Sequence, residues 1–322
     1  MRLGWFAALV VSLVSSPARA QDYPARVVTM VSPYAAGGGA DLLARVVAQK
    51  LGERLGKSFV VENRLGAGGV IAAASVARAA PDGYTLFMGT STQLAIQVTL
   101  HRTLPYDPAA DFAPVALVAS VPFVLLVNPA LPVRSVTDLI RLAKERPSAL
   151  SYGSSGVGGP PHLYMELLQT MTGIRMTHIP YKGTAQAIVD VAAGLVPVMF
   201  SDIAPSLAML QAGRLRALGI SSATRFETLP DIAPLAEVGV PGFDAVAWTM
   251  LVAPAKTPKP IVDRLAAEVS SIVAAPDVRK QFIDTGNIPL RSPAPEQLQS
   301  YLRSEVVRWG KVVAEAGIAG SE

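Results

Sequence analysis

The sequence predicts an α/β fold, with a mostly parallel sheet covered by helices on both faces. Short apolar runs alternate with segments of helical periodicity along nearly all of the 322 residues. Glycine or proline turns separate the two kinds of segment. Strands that alternate with helices pair in parallel through crossover connections, so this alternation indicates the fold class.

The first strand–helix unit shows the pattern most clearly. The apolar run Arg26–Ser32 predicts a buried strand, and a helix follows in which leucine and valine repeat along one face as far as Leu55. Between them lies Pro33–Asp41, which contains three consecutive glycines and is called here the first glycine loop. The unit therefore ends a strand in a bare turn and begins a helix directly after it.

The later elements repeat this order, and a second glycine turn, Leu65–Gly69, again joins a strand to a helix. Strands are predicted at 59–63, 84–88, 176–179, 198–201 and 215–220, and a short strand ends at 151–153. Helices are predicted at 71–80, 136–145, 162–171, 185–193 and 204–212, and the tail from 260 to 316 is rich in helix.

Two apolar segments, Val121–Pro129 and Trp248–Pro254, resemble each other, and each is followed by proline and a helix. They fit two interpretations: strands that carry the chain between two lobes, or two unrelated buried strands of one sheet. In the two-lobe interpretation the first lobe is discontinuous. It comprises residues 21–123 together with 249–322, and the second lobe comprises 124–248.

The first twenty residues predict an export signal. Arg2 gives a positive start, Leu3–Val14 is apolar, and Ala18-Arg19-Ala20 fits the small-residue pattern of a cleavage site. We expect cleavage after Ala20 and a periplasmic mature protein; the alternative is an uncleaved membrane anchor. Removal of this segment takes away two arginines and lowers the net charge from +4 to +2.

Composition argues against several classes of partner. The chain has no cysteine, so neither disulfides nor a lipidated N-terminal cysteine is expected. Lysine and arginine are scattered singly, without the basic stripe that binds nucleic acid. No segment after the export signal has the ~20 uninterrupted apolar residues that span a bilayer. We therefore expect no nucleic-acid partner and no membrane-embedded segment in the mature protein.

The first glycine loop has the chemistry of an anion-binding site. Glycines leave their backbone N–H groups unshielded, and a helix N-terminus adds unpaired donors and partial positive charge. The glycines are consecutive, so the loop matches neither a dinucleotide fingerprint nor a phosphate-binding P-loop. The alternative is a tight turn that lets the helix pack closely, and Asp41 is expected to cap the helix rather than contact a ligand.

A second loop of the same kind runs from Ser151 to His162, where a strand ends in glycines and serines and a helix begins after prolines. If the two loops face each other across a cleft, they can hold one anion from both sides.

Enzyme chemistry is poorly supported. The three histidines have no metal-ligand spacing, and cysteine ligands are absent. The one catalytic alternative is a hydrolase in which Ser155 is the nucleophile and His162 its base. We expect no enzymatic activity, no cofactor and no metal.

Seven motifs follow one another along nearly all of the mature chain, and in this order they resemble the Bug-type extracytoplasmic solute receptors, the substrate-binding subunits of tripartite tricarboxylate transporters. The motifs are Val31–Asp41, Val61–Gly69, Pro81–Leu86, Leu104–Pro108, Tyr152–Gly156, His178–Gly183 and Val198–Phe200.

The resemblance implies a two-lobed type 2 periplasmic-binding fold that closes on its ligand about two hinge strands. It implies a small organic carboxylate as ligand and a membrane permease of the tripartite type as partner, and we expect the receptor to be a monomer. A ligand-sensing partner of a signalling protein is the remaining alternative. Carried over by position, the ligand-binding residues are Tyr34, Ala36, Gly37, Gly38, Ser91, Thr92, Gln93, Ser154, Ser155, Gly156, Gly158, His162, Ser201 and Asp202.

Three departures from the family pattern fall where specificity is expected. Gly159 stands where the family often has serine or threonine. Gln93-Leu94 replaces a frequent Thr-His, and Ser201-Asp202 replaces a frequent Asp-Asn. Each departure removes a polar partner, which favours a ligand with a less polar distal group.

Overall fold

A computed structural model describes residues 23–37 and 39–322. The predicted export segment, its cleavage after Ala20, and Gly38 therefore lie outside the described residues.

Strands and helices alternate as the sequence predicts. The strands are β1 (Val28–Ser32), β2 (Phe59–Asn63), β3 (Thr85–Thr90), β4 (Phe112–Val127), β5 (Ser151–Ser154), β6 (Thr177–Pro180), β7 (Val198–Asp202), β8 (Arg216–Ile220), β9 (Val246–Pro254) and β10 (Ile288–Pro289). The helices are α1 (Gly39–Leu55), α2 (Val70–Ala77), α3 (Gln97–Leu100), α4 (Val136–Glu145), α5 (Pro160–Thr172), α6 (Thr184–Ala192), α7 (Ile203–Gln211), α8 (Leu235–Val238), α9 (Lys259–Ala274), α10 (Pro276–Asp284) and α11 (Pro295–Glu315).

The sheet runs in the order β2-β1-β3-β9-β4-β7-β5-β6, with β8 and β10 also paired to β4. Parallel pairing is confined to the outer strands, β1 with β2 and β3, and β5 with β6 and β7. The long strands β4 and β9 pair antiparallel with each other and with their neighbours. The α/β class is confirmed, and the antiparallel centre is a feature that strand–helix alternation does not predict.

Strand β4 belongs to both lobes. Its first part, as far as Pro122, pairs with β9, and from Phe123 onward it pairs with β7 and β8. The predicted crossover at Val121–Pro129 therefore falls at the point where β4 changes partners. Strand β9 pairs with β3 and β4 in the described residues, and the residue before it, Ala245, donates a backbone hydrogen bond to Ser221 beyond β8. The lobe boundaries at 123/124 and 248/249 stay a prediction.

The predicted helix faces form the core. In α1, Leu43, Val47 and Leu51 are buried beneath the first sheet, as the helical period predicts. The apolar strands β4 and β9 are buried along almost their full length. Burial of one such side chain contributes about 1.5–3 kcal/mol, so these central strands anchor both lobes.

Helix α11 connects the two lobes through a buried carboxylate. Glu305 is 5% exposed and accepts hydrogen bonds from the indole N–H groups of Trp248 on β9 and Trp309 on α11. The ring of Trp309 stacks on Tyr164 of α5, with centroids 5.5 Å apart. This contact therefore joins α11 to both β9 and α5.

One element near the predicted site was not predicted from the sequence. A π-helical turn at Thr92–Ile96 leads directly into α3, where the sequence indicated only a polar stretch after β3. Such turns widen a helix by one residue per turn and are frequent at functional sites. Within 23–37 and 39–322, no helix is long and apolar enough to cross a membrane.

Candidate functional site

A cavity of about 270 Å³ lies at the carboxyl ends of the parallel strands. Its walls include the segments that come directly after β1, β3 and β5 in the chain. Ligands bind at this edge of an open α/β sheet. It is lined by Tyr34, Ala67, Gly68, Thr92, Gln97, Leu100, His101, Ser155, Gly156, Val157, Gly158, Gly159, Pro160 and Glu322. No lysine or arginine is among these lining residues.

A wider depression of about 480 Å³ lies beside the end of α1 and the start of β2. It is lined by Gln49, Lys57 and Phe59 among others, at the opposite edge of the sheet from the two predicted loops. It is more open to solvent than the cavity between the loops, so that cavity is the better candidate for binding a small molecule.

Two glutamines support the wall contributed by the first lobe, and Gln97 also lines it. Gln93 and Gln97 lie on the π-helical turn and α3, and their side-chain amides both donate to the carbonyl oxygen of Gly68, at 2.7 and 3.0 Å. A Cβ atom on Gly68 would lie 2.8 Å from the amide nitrogen of Gln97. The second glycine turn can therefore approach the helix this closely only because the residue there is glycine.

Tyr34 is held in the same network. Its hydroxyl is 3.0 Å from the hydroxyl of Thr90, and the side-chain amide of Gln93 donates to it at 3.3 Å. Its carbonyl oxygen accepts a hydrogen bond from Asn63 at 2.8 Å. The phenol ring that lines the cavity is thus fixed at its backbone and at its hydroxyl.

The wall contributed by the second lobe is the loop between β5 and α5. Gly158 has a left-handed φ of +68°, and a Cβ atom there would lie 2.2 Å from the side chain of Leu100 on the opposite wall. Gly158 and Leu100 are therefore in van der Waals contact across the cleft. The backbone N–H of Gly158 donates to Nδ1 of His162 at 3.0 Å.

Two stacked histidines support this loop from behind. The rings of His162 and His178 are parallel with centroids 3.9 Å apart, and Nε2 of His178 is 2.6 Å from the hydroxyl of Ser154. Burial, together with the adjacent His178, lowers the pKa of His162 to about 3. Burial lowers the pKa of His178 to about 4, so both rings are neutral near pH 7.

The hydrogen bonds of the two rings do not fit the alternative of a hydrolase that uses Ser155 and His162. Nδ1 of His162 accepts from Gly158, which leaves Nε2 protonated, 3.8 Å from Glu166. Ser154, not Ser155, meets a histidine, and Ser154 is completely buried. A buried hydroxyl beside a weakly basic ring cannot reach a substrate, so the arrangement is structural rather than catalytic.

Several predicted amide donors are already bonded within the protein. The N–H of Gly37 donates to Asp41, and that of Gly156 donates to the hydroxyl of Ser154. In the described residues the N–H groups of Ala36, Ser155 and Val157 have no protein acceptor. Fewer backbone N–H groups are therefore available to an anion than the number of glycines suggests. The available groups belong to residues next to the glycines and not to the glycines themselves.

Asp41 has the capping geometry that the sequence predicts. It is completely buried at the first turn of α1, where it accepts hydrogen bonds from Gly37, Arg45 and Asn63. Although burial opposes it, these hydrogen bonds hold the pKa of Asp41 below its ordinary value. Its charge is therefore satisfied inside the protein and stabilises the first glycine loop.

The other predicted site residues divide into two groups. Tyr34, Thr92, Ser155, Gly156 and Gly158 line the cavity. The remaining described ones do not line it: Ala36, Gly37, Ser91, Gln93, Ser154, His162, Ser201 and Asp202.

In this second group, Gln93, Ser154 and His162 hold the walls from behind. Ala36 and Gly37 are exposed in the first glycine loop, whereas Ser91 is buried where the π-helical turn begins.

Asp202 lies at the start of α7, next to the buried Ser201. Its carboxylate accepts a hydrogen bond from Thr184 at 3.3 Å, and burial raises its pKa above the ordinary value. It does not line the cavity.

Sequence reasoning missed most of the first-lobe wall. In this lobe, the lining residues that were not predicted as site residues are Ala67, Gly68, Gln97, Leu100, His101 and Glu322. The glycine turn at 65–69 was visible in the sequence and carried this signal. The contribution of Gln97 became visible only with the helical turn that places it one turn after Gln93.

A two-lobed α/β fold with a cavity between loops at the carboxyl ends of its strands is that of a periplasmic-type solute-binding protein. The chain belongs to the family described as "Tripartite tricarboxylate transporter family receptor", whose model matches residues 43–318.

Individual relatives support the same family assignment. The chain is 36% identical to protein BugT of Bordetella pertussis over 305 residues, which cover 94% of this chain and 93% of BugT. Its structure is similar to R. palustris Rpa4515 with adipate, with a TM-score of 0.83, 41% identity, and coverage of 92% of this chain and 99% of that one. It is also similar to MatC from Rhodopseudomonas palustris with bound malate, with a TM-score of 0.78, 35% identity, and coverage of 90% and 100%.

These findings confirm the resemblance to Bug-type receptors and the two-lobed fold. They also confirm that the protein belongs with solute receptors and not with enzymes.

Proposed function

We propose that the protein is a periplasmic receptor that binds one small organic carboxylate between its lobes and delivers it to a permease of the tripartite tricarboxylate type. The observation that carries this proposal is the cavity of about 270 Å³ lined by loops from both lobes, with backbone and amide donors but no lysine or arginine. Relatives of this chain have been solved with adipate and with malate, two small carboxylates.

The carboxylate is proposed to bind the donors that have no protein acceptor. On one side these are the second side-chain N–H of Gln97 and the hydroxyl of Thr92, and on the other the N–H groups of Ser155 and Val157. Hydrogen bonds to a charged group contribute about 1.5–3 kcal/mol each, so three or four provide the free energy of micromolar binding before ordering costs.

The export signal and the lobe boundaries complete the proposal. Cleavage after Ala20 would release a mature chain into the periplasm. The first lobe is proposed to comprise residues 21–123 and 249–322 and the second 124–248, which fits the change of partners in β4 at Pro122 and Phe123. We propose that the receptor works as a monomer.

The class of ligand can be tested by thermal unfolding of the mature protein with a panel of carboxylic acids and matched neutral amides. A carboxylate that binds the native state at one hundred times its Kd adds about 2.7 kcal/mol to the free energy of unfolding, which raises Tm by several degrees. If amides raise Tm as much as acids, or if no acid does, the proposal is wrong.

Closure can be followed by tryptophan fluorescence. After cleavage the chain keeps two tryptophans, Trp248 and Trp309, and both donate to Glu305. We expect a saturable change in emission on ligand addition, because Trp309 also stacks on Tyr164 of the other proposed lobe. The change should remain in Trp248→Phe and disappear in Trp309→Phe, provided both variants still bind in the thermal assay. A ligand response carried by Trp248 alone would contradict closure about this contact.

A further inference from the structure

The hydrogen-bond network behind Tyr34 determines which kind of hydrogen bond this residue can offer a ligand. The orientation of the Gln93 amide is fixed by two partners with only one possible role. The backbone N–H of Thr90 can only donate, and it donates to Oε1 of Gln93 at 3.1 Å. The carbonyl of Gly68 can only accept, and it accepts from Nε2 of Gln93 at 2.7 Å.

The orientation of the Gln93 amide determines where the Thr90 hydroxyl donates its proton. The Thr90 hydroxyl lies 2.9 Å from Oε1 of Gln93, an oxygen that can only accept, so Thr90 donates its single proton there. The Thr90 oxygen then has only acceptor capacity left, and it also accepts the backbone N–H of Thr92 at 3.3 Å. In the 3.0 Å contact between the two hydroxyls, Tyr34 must therefore be the donor.

The hydroxyl of Tyr34 thus donates its only proton to Thr90, inside the protein. It also accepts from Nε2 of Gln93 at 3.3 Å, which uses part of its acceptor capacity. What its oxygen can still offer the cavity is a lone pair. A lone pair repels a carboxylate oxygen but binds a hydroxyl or ammonium group.

We propose that the site selects a carboxylate that also carries a hydrogen-bond donor, such as a hydroxyl or ammonium group, and that the Tyr34 oxygen accepts this bond. The inference rests on the proposed carboxylate function and narrows its ligand class. A site built to bond a substrate donor discriminates against the analogue that lacks it, because the polar group of the protein is then left unpaired. Thr90 and Gln93 act here as positioning residues, since they fix the proton of Tyr34 and do not line the cavity.

The test is calorimetric titration of the mature protein with matched acids. Succinate is compared with malate and aspartate, and adipate with 2-aminoadipate, so that each pair differs in one donor. In whichever chain length binds better, we expect the donor-bearing acid to bind more tightly. The gain should be about three- to tenfold for a hydroxyl, the range that one neutral hydrogen bond provides, and larger for an ammonium group. Equal or tighter binding of both unsubstituted acids would overturn the inference.

Three variants separate hydrogen-bond polarity from packing. Tyr34→Phe should bring the affinity ratio of each pair to within about twofold. Thr90→Val keeps the phenol but removes the acceptor of its proton, so the ratio should fall as well, because Tyr34 can then donate to the ligand. Tyr84→Phe is the matched control, since it removes a phenol hydroxyl that bonds Ala25 away from the cavity, and it should preserve the ratio.

Two outcomes separate a failure of the proposed role of Tyr34 from a failure of the proposed carboxylate function. An unchanged ratio in both Tyr34→Phe and Thr90→Val, with binding retained, would refute the role of Tyr34 while leaving the carboxylate receptor in place. Failure of all five acids to bind the wild-type protein would instead overturn the carboxylate class, and this inference with it.

Discussion

Gly158→Ala is expected to weaken ligand binding by at least about 100-fold, because the new methyl group would prevent the lobes from closing. The Cβ atom would lie 2.2 Å from one methyl carbon of Leu100 and 3.0 and 3.2 Å from its next two carbons. Leu100 is 4% exposed and packed in the core, so its side chain has little room to turn aside. A loss of 100-fold corresponds to about 2.7 kcal/mol, which is the contribution of one or two charge-assisted hydrogen bonds lost when the loops separate.

Gly173→Ala provides a control with the same backbone cost. Gly173 ends α5 with a φ of +67°, almost equal to the +68° of Gly158, and nothing lies within 4 Å of its Cβ position. Both variants should lose about 1–2 kcal/mol of stability from the left-handed conformation. Calorimetric titration with the best acid of the thermal panel should show a loss of affinity only in Gly158→Ala. Binding within tenfold of wild type in that variant would show that the contact with Leu100 is not needed for the bound state.

The fold could be predicted from the sequence because its signals are local. The helical period of α1 and the alternation of apolar runs with turns depend on residues close in the chain. Helix α4 and strand β2 were predicted with the bounds that the structure gives, 136–145 and 59–63. The antiparallel pairing of β4 with β9 could not be predicted, since it joins segments more than a hundred residues apart and no local pattern encodes it.

The site was predicted in outline and missed in its proton chemistry. The first glycine loop and the loop from 154 to 162 were identified because glycine next to a helix start is visible in a sequence. The acceptors of the backbone N–H groups of those glycines depend on the tertiary structure, which a sequence does not show. Gly37 and Gly158 were expected to offer their N–H groups to an anion, yet these donate to Asp41 and His162. The use of these glycines as ligand contacts stays a prediction, and their observed role is to shape the loops.

The structure also explains one of the departures from the family pattern in physical terms. Gln93-Leu94 was expected to remove a polar partner because it replaces a frequent Thr-His. The structure shows that the amide of Gln93 is fully occupied by Thr90, Gly68 and Tyr34. A residue that does not line the cavity can still set the polarity of one that does. This kind of specificity depends on counting protons through a network, for which the sequence supplies the groups but not the distances.

Acidification is expected to destabilise the protein steeply between pH 6.5 and about 4.5, because His162 and His178 are held neutral in the native state. Their pKa values are lowered to about 3 and about 4, whereas in the unfolded chain both return to about 6.5. Below pH 6.5 the unfolded state therefore binds more protons than the native state. Stability is fully present above pH 6.5 and is lost as the pH falls toward the native values.

The size of the effect follows from the number of protons. Each proton taken up on unfolding lowers the free energy of unfolding by about 1.4 kcal/mol per pH unit, so two histidines give a slope of up to about 2.7 kcal/mol per unit. Between pH 6 and 4.5 the effect of Asp41 is small because its pKa is lowered, whereas the raised pKa of Asp202 acts with the opposite sign. Comparison with histidine variants, which keep Asp202, isolates the two histidines. Urea unfolding at half-unit intervals measures the slope. His162→Gln and His178→Gln should each reduce it by about half, and the double variant should remove most of it.

Ligand affinity should fall at lower pH, as the pH approaches the native pKa values of about 4 and about 3, for a related reason. Once Nδ1 of His162 is protonated it can no longer accept the N–H of Gly158, and like charge on the stacked rings, 3.9 Å apart, opposes a second proton. The loop that closes against Leu100 then loses its support from behind. A free energy of unfolding that stays constant from pH 6.5 to 4.5 in the wild-type protein would contradict the neutral histidine pair, and with it this coupling between protonation and the binding loop.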